Sequence, residues 1–278
     1  MGSVELVGKA TAIWIGIALL AVLNGGFREA LLIPRLGEKV GHVLSTLLLS
    51  AVIVCVAFAS GGWMQTTTLE AAWAVSAGWL IATLLFEIIA GHYLFGNSWE
   101  KIFADYCVSN GRVWMLIPAT ILFAAPLAHV GLDPKWLVAY LISNTIAAAM
   151  LLAAVADARF ARWSFALLFA YAGVYNNWLG FTKPLEYQGF ADMALVPWYR
   201  EFIAGPLGEI WWIIPAIGVG QLLVAGAWAM GNQWLRWAAI GGCTFLLAIA
   251  PLGIGSALPF SFIVSLAMVI VASHLRDS

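Results

Sequence analysis

Three observations predict an all-α, polytopic transmembrane helix bundle. Apolar runs long enough to cross a bilayer recur along the 278 residues, only 10% of the residues are charged against about 25% in soluble domains, and the charges gather at the ends of the runs. A backbone in lipid must satisfy its own hydrogen bonds, so runs of about 20 apolar residues read as helices. The short alternating segments of a transmembrane barrel are absent from the sequence.

The first run, about 10–27, follows a start with one lysine, Lys9, and leads into Asn24-Gly-Gly-Phe-Arg-Glu29. It has neither the basic region nor the small-residue cleavage site of a signal peptide and is read as a retained span. Later runs fall near 41–60, 69–95, 112–130, 135–155, 161–180, 207–230, 234–251 and 257–274, each bounded by Gly, Pro or charged residues. The count is therefore about nine spans. It falls to eight if 251–259, Pro-Leu-Gly-Ile-Gly-Ser-Ala-Leu-Pro, is a break within a re-entrant pair and not a turn between two spans. The boundary at 130–135 separates a four-span block, 1–132, from a second block, 133–278.

Loop charge sets the expected orientation. With the N-terminus outside, the inner segments hold Arg28, Arg35, Lys39, Lys101, Arg112, Arg159, Arg162, Arg236 and Arg276, and the outer ones only Lys9, Lys135, Lys183 and Arg200. This positive-inside excess predicts N-outside and C-inside. Tryptophans at or near span ends, among them Trp63, Trp99, Trp114, Trp136, Trp163 and Trp234, read as interface anchors. The formal net charge of −1 and the lack of a Lys/Arg cluster argue against a nucleic-acid partner. Cys55, Cys107 and Cys243 form no Cys-x-x-Cys pair and read as small apolar residues. The Ala-rich fifth span suits close helix packing, with Asn144 placed to bond a neighbour.

Two polar concentrations are the candidate sites. The first comprises Asn24, Arg28 and Glu29 at the end of the first span, His42 at the start of the second, and Glu87 and His92 near the end of the third. All lie on the predicted inner side. A charge at membrane depth costs about 2.5–3.5 kcal/mol, so Glu87 should face the protein with a partner, Arg28, His42 and His92 being nearest by depth. Glu87 and His92 lie about 140° apart on an α-helix. A metal held by His42, Glu87 and His92 would need ligands from several helices and lacks a His-Glu-x-x-His spacing. A structural polar cluster and a proton or small-ligand site are the competing readings. The segment 96–112 reads as an amphipathic interfacial helix with Trp99, Ile102, Phe103 and Tyr106 on its apolar stripe, either anchoring the inner side or covering the Glu87 cluster.

The second concentration lies on the predicted outer side of the later block. It contains Asn177, then Asp192, Arg200 and Glu201 in a connection of about 26 residues (181–206), and Gln221 in the seventh span. Arg200 pairing with Asp192 or Glu209 is one reading, and a polar rim to a ligand cavity is the other.

From Arg162 to about 275 the chain resembles the DoxX-type four-helix membrane modules. The resemblance rests on Phe169-Ala-Tyr-Ala-Gly173, Pro197, Tyr199-Arg200-Glu201 and Gly220-Gln-Leu-Leu-Val-Ala-Gly226. The sequence departs from that pattern at Val174-Tyr175-Asn176, where a Lys is expected after Gly173, and at Gln221, where an acid is common. The resemblance implies a bacterial inner-membrane module, with a quinone as ligand and a redox membrane complex as partner. The first block resembles only uncharacterised small bacterial membrane proteins.

Three functions are compatible with these residues: a module binding a small lipophilic ligand or assisting a redox complex, a structural or assembly subunit without a ligand, and a small-molecule transporter. No Ser/His/Asp set, Gly-x-Ser-x-Gly or paired catalytic aspartates appears, so the chain is not read as an enzyme on its own.

Overall fold

The computed structural model describes residues 3–94, 96, 98–108, 111–210 and 212–276. Every regular element among them is helical. The chain divides into two compact units, one up to Pro134 and one from Lys135 onward.

In the first unit, α1 (Ser3–Phe27) runs into a π-helical turn, Arg28–Leu32, and the single turn α2 (Ile33–Leu36). Gly37, at φ 78°, supplies the backbone conformation that starts α3 (Glu38–Met64). The Thr68 side chain caps α4 (Leu69–Ile89) by accepting a hydrogen bond from the Ala71 amide at 3.2 Å. A second π-helical turn, Ala90–Leu94, extends α4, followed by α5 (Trp99–Ala104) and α6 (Leu116–Val130), which stops at Gly131.

Ile13, Ile17, Leu49, Ile53, Val75, Trp79, Ile117 and Ile121 form one buried core from α1, α3, α4 and α6. Two indoles tie α1 to α4: Trp79 Nε1 donates to the Ala10 carbonyl at 2.8 Å, and Trp14 Nε1 donates to Thr83 Oγ1 at 3.0 Å. Both links span 69 residues, so α1 and α4 run parallel and end on the same side of the unit. Inside α6, Pro126 removes one backbone donor. The adjacent Ala125 amide donates to Ser76 Oγ of α4 at 3.1 Å, a direct link between the two helices beside the proline.

The second unit opens with α7 (Pro134–Ala156) and α8 (Ala158–Thr182), the latter capped by the Asp157 carboxylate on the Arg159 and Phe160 amides. The connection that follows carries a 3₁₀ segment (Pro184–Met193), α9 (Pro197–Ala204) and α10 (Pro206–Glu209). Then come α11 (Ile213–Met230), a 3₁₀ turn (Asn232–Trp234), α12 (Leu235–Ile249), a second 3₁₀ segment (Ala250–Ser256) and α13 (Phe260–Arg276). α8 and α11 approach backbone to backbone. A Cβ on Gly173 would lie 2.8 Å from the Gly218 carbonyl, and one on Gly180 would lie 2.7 Å from Pro215 Cδ. Small residues at such contacts let helices close where lipid offers no hydrophobic drive. Residues 251–259 form a connection between α12 and α13, kinked at Gly253. Its Ala257 and Leu258 carbonyls accept from Asn144 Nδ2 at 2.9 Å and Tyr140 Oη at 2.5 Å.

Among the described residues six helical stretches are long and apolar enough to cross a membrane: Val4–Leu36, Glu38–Met64, Leu69–Tyr93, Pro134–Ala156, Ile213–Met230 and Asn232–Ser256. Two shorter apolar helices, Leu116–Val130 and Phe260–Leu275, accompany them. The chain is a multi-pass helical membrane protein by helix length and hydropathy. Two sequence expectations change. The run expected to span from 112 becomes helical only at Leu116, and its 15 residues rise about 22 Å, short of a hydrocarbon core of about 30 Å. The run at 161–180 is a 25-residue helix, but Arg159, Arg162, Asn176 and Asn177 make it more polar, and it is not among the six.

Gly218→Val should lower the thermal unfolding midpoint of the detergent-purified protein, at a cost of about 1–3 kcal/mol, because its branched side chain meets the Gly173 carbonyl and Asn177. Gly8→Ala, where a Cβ meets nothing within 4 Å, should leave the midpoint unchanged or raise it.

Candidate functional site

At the end of the first unit where α1 and α4 finish, a partly open cavity of about 560 Å³ lies between α1, α3, α4 and α6. Its walls are mainly apolar and include Ile17, Leu49, Ile53, Ile117 and Ile121. Its polar end carries Arg28, Glu29, Glu87, Asp105, Tyr106 and Trp114. Both π-helical turns contribute to the lining, through Arg28 and Glu29 on α1 and through Ala90 and Gly91 on α4. Such turns displace side chains from the regular helical path and are frequent at functional sites. Gly25 and Gly26 also face the cavity, and a Cβ on either would meet nothing within 4 Å.

Glu87 organises the polar end. Its Oε2 accepts a hydrogen bond from the Tyr106 hydroxyl, and its Oε1 accepts one from Trp114 Nε1 at 2.7 Å. The three residues come from α4, the segment after α5 and the approach to α6, so one carboxylate joins three parts of the chain. Burial raises the Tyr106 phenol above its ordinary range, and its bond to Glu87 adds to the effect. The phenol therefore remains a donor throughout neutral pH. Around this centre Arg28 pairs with Glu29 at 3.1 Å, and Arg112 bridges Glu38 at 2.5 Å and Asp105 at 3.4 Å.

The structure brings three of the six inner candidates, Arg28, Glu29 and Glu87, onto the cavity wall. Asn24 instead donates to Ser45 Oγ at 2.8 Å, tying α1 to α3. His42 is buried in α3, with Nε2 lacking a hydrogen-bond partner. His92 stacks on Trp99, ring centroids 4.1 Å apart. The partners of Glu87 are thus two aromatic donors, Tyr106 and Trp114, and not Arg28, His42 or His92, the nearest by depth. No group of three His, Cys, Asp or Glu side chains able to hold a metal ion occurs among the described residues, so His42, Glu87 and His92 form no metal centre. Within 96–112, of which 97, 109 and 110 lie outside the described residues, Trp99–Ala104 form an α-helix, and Ile102, Asp105 and Tyr106 line the cavity. Tyr106 and Trp114 were missed as site residues because their apolar bodies fit an anchoring role. A half-buried phenol or indole also needs an acceptor, and Glu87 is the carboxylate within reach.

The outer candidates separate. Gln221 is buried against α8 and accepts from Asn176 Nδ2 at 2.7 Å, while Asn177 Nδ2 donates to the Gly173 carbonyl at 2.8 Å. These amides serve the α8–α11 contact. Tyr187 extends the chain by donating to Asn176 Oδ1 at 2.5 Å, and burial pushes its phenol up to about 12. Asp192, Arg200 and Glu201 are exposed. Arg200 donates to the Ala194 carbonyl at 3.3 Å in place of the expected pairing with Asp192 or Glu209.

Tyr106→Phe removes one donor to Glu87 and should cost about 1–3 kcal/mol. The raised phenol pKa sets the sign of the pH dependence: wild type keeps its advantage below the unfolded tyrosine value of about 10 and loses it as pH rises toward the higher folded value. Thermal unfolding of both proteins from neutral to alkaline pH measures this. Comparison with protein families, curated proteins and solved structures finds no match for this chain.

Proposed function

We propose that the first unit binds a small lipophilic molecule with a polar head, taken up from the surrounding bilayer. The observation that carries this reading is the apolar cavity ending on the fixed Glu87 carboxylate. Its volume of about 560 Å³ lies in the usual range for small-molecule sites, about 300–1,000 Å³. A shallow groove on the outer face of α4 shares Trp14, Phe86 and Ala90 with the cavity lining. That shared wall separates the groove from the site, and a membrane-dissolved ligand would enter by displacing its side chains. Beyond Glu87 the walls are mainly apolar, with Trp14 and Phe86 beside the aliphatic residues, which favours holding an apolar body over conducting a hydrated solute.

The finer elements of the reading rest on sequence. Nine spans with the N-terminus outside follow from the runs and the Lys/Arg distribution, and place the Glu87 end on the inner side. The DoxX-type resemblance of the second block supports residence in a bacterial inner membrane and adds a quinone and a redox complex as ligand and partner to test. A ligand-free assembly subunit is the competing reading, in which the Glu87 cluster only closes the helix ends.

Binding of a fluorescent alkyl probe to the protein in lipid nanodiscs separates the two. Gly25→Leu should weaken probe binding about tenfold or more, because the new side chain grows into the cavity. Its unfolding midpoint should not fall, since leucine is a better helix former than glycine. Equal binding by wild type and Gly25→Leu would support the ligand-free reading.

A further inference from the structure

The polar end of the cavity has more acceptor than donor capacity, and this selects a head group. An ionised carboxylate offers about four lone-pair sites. Tyr106 and Trp114 occupy one on each oxygen of Glu87, and in doing so commit both neutral donors. Acceptor capacity therefore remains on Glu87, open to the cavity it lines.

Charge points the same way. Four ionisable acid or guanidinium groups line the cavity: Arg28, Glu29, Glu87 and Asp105. Arg28 is matched by Glu29, and Asp105 lies 3.4 Å from Arg112, which it shares with Glu38. Glu87 has no ion pair among the described side chains, although a carboxylate in apolar surroundings is costly without a counter-charge. A neutral hydroxyl would fill one lone pair and leave the charge uncompensated. A carbonyl would bring only further acceptors, and an acid would add like charge. An ammonium group supplies three donors and the missing positive charge.

We propose that the cavity takes a lipophilic amine, its ammonium group seated on the Glu87 carboxylate and its apolar chain running between Ile17, Leu49, Ile53 and Ile121. This rests on the proposed lipophilic-ligand function and adds the class of ligand. The apolar chain provides affinity, while the ammonium–carboxylate pair, formed at the edge of an apolar cavity, provides selectivity.

The test is displacement of a neutral fluorescent alkyl probe from the protein in nanodiscs at pH 7 by dodecylamine, dodecanol or dodecanoic acid, each expressed as its mole fraction in the disc. Dodecylamine should displace the probe from wild type at about tenfold lower mole fraction than dodecanol, and dodecanoic acid should be weakest. In Glu87→Gln the amine should lose its advantage over the alcohol, so that the ratio of their displacing mole fractions falls to about one. Glu87→Asp, which keeps the charge, should retain part of the preference. Equal displacement by amine and alcohol in wild type would overturn the amine assignment and leave the cavity as a lipophilic site. The same holds if the preference survives in Glu87→Gln. Failure of wild type to bind the probe would instead overturn the lipophilic-ligand function. The wild-type comparison stands without any variant, so a poorly folding Glu87→Gln does not block the test.

Discussion

A carboxylate near the end of an apolar helix creates a problem that the first unit solves with neutral donors. Glu87 would be expensive in lipid, and the chain folds back so that Tyr106 and Trp114 each donate to one of its oxygens. Those two bonds draw the segment after α5 and the approach to α6 onto α4. Once they are made, the aliphatic faces of α1, α3 and α6 surround a space beside the carboxylate that the chain leaves unfilled. The cavity, its polar end and the placing of Ile102 and Tyr106 on its lining all depend on this one group.

The surrounding helices are arranged to keep that space open. Trp14 and Trp79 fix α1 against α4 through paired hydrogen bonds, and Gly25 and Gly26 stop α1 from filling the cavity with side chains. At both Arg28–Leu32 and Ala90–Leu94 the helix widens to a π turn beside the cavity. In the second unit glycine has the opposite effect. Gly173, Gly180 and Gly218 bring α8 and α11 into close contact, and the nearby amides are spent within that contact. Open space beside glycine marks the candidate site, and closed space beside glycine marks a packing seam.

Much of this architecture was legible as apolar runs, and each of the nine expected runs contains a helix. Apolar length could not reveal that the helix of α6 begins only at Leu116, nor that the polar residues of α8 set it apart from the six apolar stretches. Glu87 stands out because membrane depth demands a partner, yet depth alone points to Arg28, His42 and His92. Tyr106 and Trp114 carry both an apolar body and a donor, and the sequence pattern registers only the body. The angle between Glu87 and His92 assumed a regular α-helix, whereas the π turn from Ala90 changes the path and His92 stacks on Trp99. Gln221 and Asn177 resembled a ligand rim because nothing in the sequence shows how closely α8 and α11 approach.

The central claim is that an apolar body lies inside the first unit with its head at Glu87. Photolysis of a diazirine-tailed alkylamine on the protein in nanodiscs, followed by peptide mapping, tests it directly. The account predicts adducts on the cavity walls at Ile17, Leu49, Ile53, Ile117 and Ile121, and their loss when excess unlabelled amine is present. Adducts confined to exposed surface residues such as Leu19, Leu23 and Ile81, with none on those walls, would contradict it.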